Sequence, residues 1–140
     1  MKVVLDANVL VSALMRDGFT RTLLVHPDLK LVTPEYALAE VLRHLPSLAK
    51  RMPVPIQQAR LTLELLLGHV TTAPHEDYGG EMRRAEEILR DIDPDDAPFA
   101  ALALAAELPL WTQDKALLAC AGLPTITTHN LARRLGVGAD

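Results

Sequence analysis

The chain has 140 residues, 49% of them hydrophobic and 23% charged. That composition excludes a disordered segment and fits one folded domain spanning 1–140, with room for a real core. Aromatic residues make up only 4%, so the core must be built from Leu, Val, Ala and Ile, and an aromatic stacking platform for single-stranded nucleic acid is not expected. The net charge of −4 excludes a nucleic-acid binder that relies on charge alone.

Lys2 to Asp6 reads as a short buried strand, apolar and β-branched. Asn8 to Met15 reads as a helix, ended by Arg16-Asp17-Gly18. Thr20 to Val25 is a second short helix and Leu29 to Thr33 a second strand. Thr33-Pro34 predicts the start of a helix, with Thr33 as N-cap and Pro34 at the first helical position. That helix runs to about Leu45, where Pro46 should disturb it. After a Pro-rich connector, Ile56 to Leu67 is a helix closed near Gly68.

His69 to Thr72 is the third strand, Pro74 to Gly80 a loop, and Glu81 to Arg90 a helix. Asp93-Pro94-Asp95-Asp96 opens a further helix that continues to about Glu107. Its segment from Phe99 to Ala106 is the longest apolar run and is too short to span a bilayer. Leu108 to Thr112 is the fourth strand, Asp114 to Ala121 a short helix, Leu123 to Thr127 the fifth strand and His129 to Leu135 the last helix. Strands alternate with helices throughout, which implies a three-layer α/β/α sandwich on a mainly parallel sheet. In such a sheet, ligands bind outside the carboxyl ends of the strands.

Two acids stand at such ends. Asp6 follows the first strand, and Asp114 follows the fourth after Gln113. If those strands are neighbours, both carboxylates share an edge, and their repulsion calls for a hard divalent cation. Asp96 sits near a helix start. Glu40 borders the apolar face formed by Ala37, Leu38, Val41, Leu42 and Leu45. Each has a plainer reading. Asp6, Asp96 and Asp114 are each good N-caps, a role that contributes about 1 kcal/mol. Glu40 could pair with a nearby Arg or His, His44 being four residues on, for about 0.3–0.5 kcal/mol.

Other chemistry is poorly represented. There is no phosphate-cradling Gly-rich loop, no nucleophile elbow and no His-Glu-x-x-His pair. His26, His69, His75 and His129 read as structural or exposed. Cys120, the single cysteine, lies in the apolar run Leu117 to Ala121 and reads as a buried inert thiol. With no disulfide framework, no leader and no spanning segment, the expected location is cytoplasmic.

Taken together, four short segments are recognisable. Val3-Val4-Leu5-Asp6-Ala7-Asn8-Val9-Leu10, Ala39-Glu40-Val41-Leu42, Asp96-Ala97-Pro98-Phe99-Ala100-Ala101-Leu102-Ala103 and Leu110-Trp111-Thr112-Gln113-Asp114-Lys115 follow one another in an order and spacing that resembles the PIN domain, a family of metal-dependent nucleases. The likeness is to its bacterial branch of toxins from toxin–antitoxin pairs. It implies a divalent-metal-dependent endoribonuclease, with Asp6, Glu40, Asp96 and Asp114 as catalytic and metal-binding residues for Mg²⁺ or Mn²⁺. Asn8 and Thr112 would support them, by an orienting hydrogen bond or by positioning water or phosphate.

The resemblance further implies an RNA substrate, a small antitoxin protein as partner and a homodimer, with no membrane association. Arg83-Arg84 and Arg133-Arg134 are candidates to offset repulsion of RNA, although both pairs read more simply as solvated helix faces. Many members carry another acid just after the Thr-x-Asp segment; here Lys115, Ala116 and Leu117 follow, which puts a second fully ligated metal in question. Two rivals remain open: a non-cleaving PIN-type module that binds RNA or protein, and an aspartate-dependent phosphoryl-transfer enzyme. The latter usually shows a second Asp where this chain has Asn8.

Overall fold

The computed structural model of the protein describes residues 1–15 and 18–138. Arg16 and Asp17, expected to help end the first helix, lie outside the described residues.

In chain order the strands are β1 (Lys2–Leu5), β2 (Lys30–Pro34), β3 (Val70–Ala73), β4 (Leu110–Trp111) and β5 (Thr125–Ile126). The helices are α1 (Ala7–Met15), α2 (Gly18–Leu24), α3 (Glu35–Ala49), α4 (Ile56–Leu67), α5 (Met82–Ile88), α6 (Ala97–Ala106), α7 (Lys115–Leu118) and α8 (Thr128–Leu135). Short 3-10 turns cover His75–Asp77, Gly79–Glu81 and Pro94–Asp96. All five strands are parallel, in the order β3-β2-β1-β4-β5. This is a three-layer α/β/α sandwich, as the alternation of elements implied.

The strand period of two divides the core. Val3, Leu5, Leu31 and Trp111 enter one cluster, with buried residues of α1, α2, α4 and α8. Val4, Val32 and Leu110 enter the other, with α5, α6 and α7. Successive side chains of a strand point to opposite faces, so a continuous apolar run is what a doubly covered strand requires. Helix α3 contributes to both clusters, Val41 and Leu45 to the first and Ala37 to the second. Helix α6 buries Ala97, Phe99, Ala100, Ala101, Leu102 and Ala103; its alanines leave room for close approach to the sheet.

The boundaries differ from expectation in informative places. Thr33 does not cap α3. Pro34 occupies the N-cap position, with no side-chain cap bond, while the Thr33 hydroxyl donates to the Leu5 carbonyl at 2.9 Å. Nor does Pro46 end the helix, which continues to Ala49. The carbonyl that Pro46 leaves unpaired belongs to exposed Leu42, where water can satisfy it, and the buried Ala37–Val41–Leu45 stripe holds the helix. Helix α6 stops at Ala106 because Glu107 adopts a left-handed conformation, φ 55°. Cys120 is only half-buried, its thiol 3.7 Å from the Ile88 carbonyl.

Candidate active site

The strand order fixes where the site must be. The chain lays down β1, β2 and β3 in one direction, then returns to place β4 and β5 on the other side of β1. Between β1 and β4 the connections diverge, and such a switch point opens a crevice at the carboxyl ends of the strands. Asp6 stands there at the end of β1, with its N–H donating to the Trp111 carbonyl of β4 at 3.1 Å.

Asp6 is 1% exposed. Its Oδ2 accepts from the Thr112 hydroxyl at 2.6 Å, and its Oδ1 from the Asn8 N–H at 3.3 Å. The same Thr112 hydroxyl oxygen accepts from the Asp114 N–H at 3.1 Å. A hydroxyl donates once and accepts twice, so Thr112 ties the two carboxylate-bearing segments together. Asn8 contributes its backbone N–H to this arrangement.

Asp114 caps α7: its Oδ1 accepts from the Ala116 and Leu117 N–H groups at 2.8 and 3.4 Å. The plainer reading of that residue therefore holds, and it is compatible with a second role for the other oxygen. Asp96 is different. The cap of its turn is Asp93, whose Oδ1 accepts from the Asp95 N–H at 3.0 Å. Asp96 makes no cap bond, which leaves its carboxylate free to face the crevice.

Electrostatics shows that three of the four acids are neighbours. Burial raises the Asp6 carboxyl above its usual range, opposed by the Thr112 and Asn8 hydrogen bonds and reinforced by Asp114. Asp96 is pushed up to about 7, first by desolvation, then by Asp6, Asp93, Asp114 and Asp95. Among the described residues, no ion pair reaches Asp6, Asp96 or Asp114. Glu40 is not among the charges that shift Asp6 or Asp96. It takes a hydrogen bond from Arg43 at 2.5 Å and faces His44 at 3.5 Å, at the surface. Arg84 pairs with Glu81 at 3.8 Å, and Arg133 and Arg134 line a separate cavity with Pro109 and Asn130.

These residues suit a hard divalent cation in chemistry. Asp6, Asp96 and Asp114 are oxygen donors that repel one another in a partly dry crevice, with no ion pair to offset them among the described residues. Among the described residues, no three His, Cys, Asp or Glu side chains converge to metal-ligand distance, so binding would have to draw the carboxylates inward.

The raised Asp96 pKa has a consequence for stability. A carboxyl that titrates near 7 when folded and near 3.9 when unfolded holds its proton longer in the fold. Stability from this group is therefore full below the unfolded value and falls as pH rises through 7. Asp96→Asn removes the penalty. For a half-buried group the gain at pH 8 without metal is about 1 kcal/mol, or about 3 °C in Tm, after allowing for solvent screening. Thermal melts of both proteins should diverge from pH 5 to pH 8; parallel curves would refute the assignment.

Sequence reasoning missed two supports: the Thr33 bond that steadies the end of β1, and Asp93 as the true cap. The first had no local signal. The second was legible, since Asp93 precedes Pro94.

Comparison with known proteins agrees with this architecture. The model of the PIN domain matches residues 4–136. Among solved structures, PAE2754 from Pyrobaculum aerophilum is 22% identical with a TM-score of 0.69, covering 97% of this chain and 90% of its own. VapBC2 from Rickettsia felis, bound to a DNA fragment from its promoter, is 19% identical with a TM-score of 0.65, covering 91% and 98%. VapBC-5 from Mycobacterium tuberculosis, a member of the VapBC family of toxin–antitoxin systems, is 24% identical with a TM-score of 0.58, covering 90% and 96%. No curated protein matches. At these identities the structures speak for the fold, and the family model, spanning nearly the whole length, for descent: the chain belongs to the PIN-domain family.

Proposed function

We propose that the protein is a divalent-metal-dependent endoribonuclease, the toxin of a toxin–antitoxin pair. The observation that carries this reading is the cluster of Asp6, Asp96 and Asp114 at the β1/β4 switch point, with Asp6 and Asp96 desolvated and no ion pair to any of the three among the described residues. These residues would hold Mg²⁺ or Mn²⁺, which when bound lowers the pKa of water and offsets charge on a phosphodiester.

The chain's own residues have separable tasks. Thr112 and Asn8 orient Asp6 through hydrogen bonds to its two oxygens. Capping holds one Asp114 oxygen, Oδ1, against the α7 N-terminus and leaves the other to bind a cation. Asp96 holds or releases a proton near neutrality. Glu40 would join by leaving Arg43 and His44, a surface pair whose loss costs about 0.2–1 kcal/mol. The likeness to VapBC-5, of a toxin–antitoxin family, supports the toxin role, a small antitoxin partner and cytoplasmic action; among the described residues no helix is long and apolar enough to cross a membrane. Exposed Leu42, Leu61 and Leu65 on α3 and α4 support self-association as a homodimer.

The test is cleavage of a structured RNA by pure protein in Mn²⁺ and in chelator, with light scattering on the same sample. Cleavage in Mn²⁺ alone, by a dimer, is expected. RNA binding without cleavage would make the protein a non-cleaving module, and a monomer at high micromolar concentration would remove the dimer.

A further inference from the structure

The chain has only two tyrosines, distant in sequence, and both line one cavity of about 560 Å³. The cavity lies between the start of α3, the 3-10 turns after β3 and the segment that carries Asp96; Glu35, Tyr36, His75, Tyr78, Asp95 and Pro98 are among its walls. Tyr36 is 55% exposed and Tyr78 only 3%. The Tyr78 hydroxyl has no hydrogen-bond partner among the described residues, and Tyr78 is one of the residues that line the cavity. The His75 ring stands edge-on to Tyr78 at 5.4 Å. Gly79 makes that placement possible, because a Cβ there would lie 2.6 Å from the imidazole.

We propose that this cavity is a nucleobase pocket that selects guanine beside the scissile phosphodiester, a reading that rests on the ribonuclease function above. Its walls hold aromatic surface and two carboxylates, Glu35 and Asp95, but, among the described residues, no Lys or Arg. A phosphate is repelled there. A base is not: its faces stack on aromatic rings, and its edge offers N–H donors. Guanine alone presents two adjacent donors, N1–H and the N2 amino group, that match one carboxylate. Adenine and cytosine set a ring-nitrogen acceptor next to their amino group, and uracil flanks its one N–H with two carbonyls. The O6 and N7 acceptors of guanine also satisfy the Tyr78 hydroxyl. An arginine side chain from a protein has no acceptor for that proton. The position agrees, since Asp95 lines the cavity next in sequence to Asp96.

The experiment is an NMR titration of the metal-free full chain with guanosine, adenosine, cytidine, uridine and Nα-acetylarginine amide. Mapping of RNA cleavage ends in Mn²⁺ accompanies it. Guanosine should bind at least about fivefold more tightly than the other nucleosides, and Tyr36→Ala should weaken it about tenfold, the worth of one stacking contact. Glu35→Gln should erase the preference for guanosine, and Gly79→Ala, which displaces His75 without touching a carboxylate, should weaken all binding. Cleavage ends should cluster beside guanine, and Tyr36→Ala should spread them. Nucleosides that bind equally or not at all, or guanosine binding untouched by Tyr36→Ala, would overturn the proposal. Tighter binding of the arginine amide would overturn it too, by assigning the cavity to a basic protein segment. Guanosine selectivity without RNA cleavage would sink the nuclease reading alone; cleavage without guanosine selectivity would sink the pocket alone.

Discussion

Asp6→Asn should abolish RNA cleavage while leaving the protein folded. Loss of a residue that only orients a metal ligand costs about 10–100-fold, so loss of a ligand itself should exceed about a hundredfold. The substitution preserves shape. It also removes one of the negative charges that raise the Asp96 pKa, so the metal-free Tm should hold or rise slightly. The sharpest readout is the response to Mn²⁺. Ligand at about a hundred times its Kd stabilises by about 2.7 kcal/mol, roughly 8 °C for a chain of this size. The native protein should show a shift of that kind, and Asp6→Asn nearly none. A variant that keeps both the shift and the cleavage would overturn the metal mechanism and leave the fold untouched.

Thr112→Val should cost both stability and metal affinity, although Thr112 need never touch RNA. Its hydroxyl is buried and donates to the Asp6 carboxylate at 2.6 Å while accepting from the Asp114 N–H at 3.1 Å. Valine fills the same space and can do neither. A hydrogen bond to a charged group is worth about 1.5–3 kcal/mol, and the Asp114 N–H loses its acceptor as well, so a net loss of about 3 kcal/mol is expected. The pH dependence gives this effect a signature. The Thr112 bond is what most strongly lowers the Asp6 pKa against burial; without it the folded pKa climbs further above the unfolded one. Stability of Thr112→Val should therefore fall more steeply than native as pH rises above about 4. Mn²⁺ affinity should drop about 10–100-fold, as for other partners that orient a ligand. Thr112→Ser restores the hydroxyl and should recover most of both. If Ser and Val behave alike, the hydroxyl is not the cause.

Much of this protein is legible in its sequence because the information is local. A buried parallel strand needs a continuous apolar run, and Val3-Val4-Leu5 is one. Asp6 and Asp114 sit just beyond strand ends, so their candidacy follows from counting. The four short segments that mark the family are each contiguous, and the fold class they implied is the one observed. Where local signals competed, packing decided: Pro46 should have disturbed α3, but the buried stripe on either side carries the helix through.

What the sequence could not supply is which elements become neighbours. It left the meeting of Asp6 and Asp114 conditional on β1 lying beside β4, and only the sheet order satisfies that condition. The bond between Thr112 and Asp6 closes a gap of 106 residues, so no periodicity can announce it. Glu40 shows the opposite case. Both of its partners, Arg43 and His44, lie within four residues, and the surface pair weighed from the sequence is the one that forms. The two tyrosines make the point most sharply. A low aromatic content argued against a stacking surface, yet the fold places both rings, with His75, around one cavity. Composition measures how many rings there are; only long-range packing, which orders side chains at a large cost in chain entropy, determines that they share a wall.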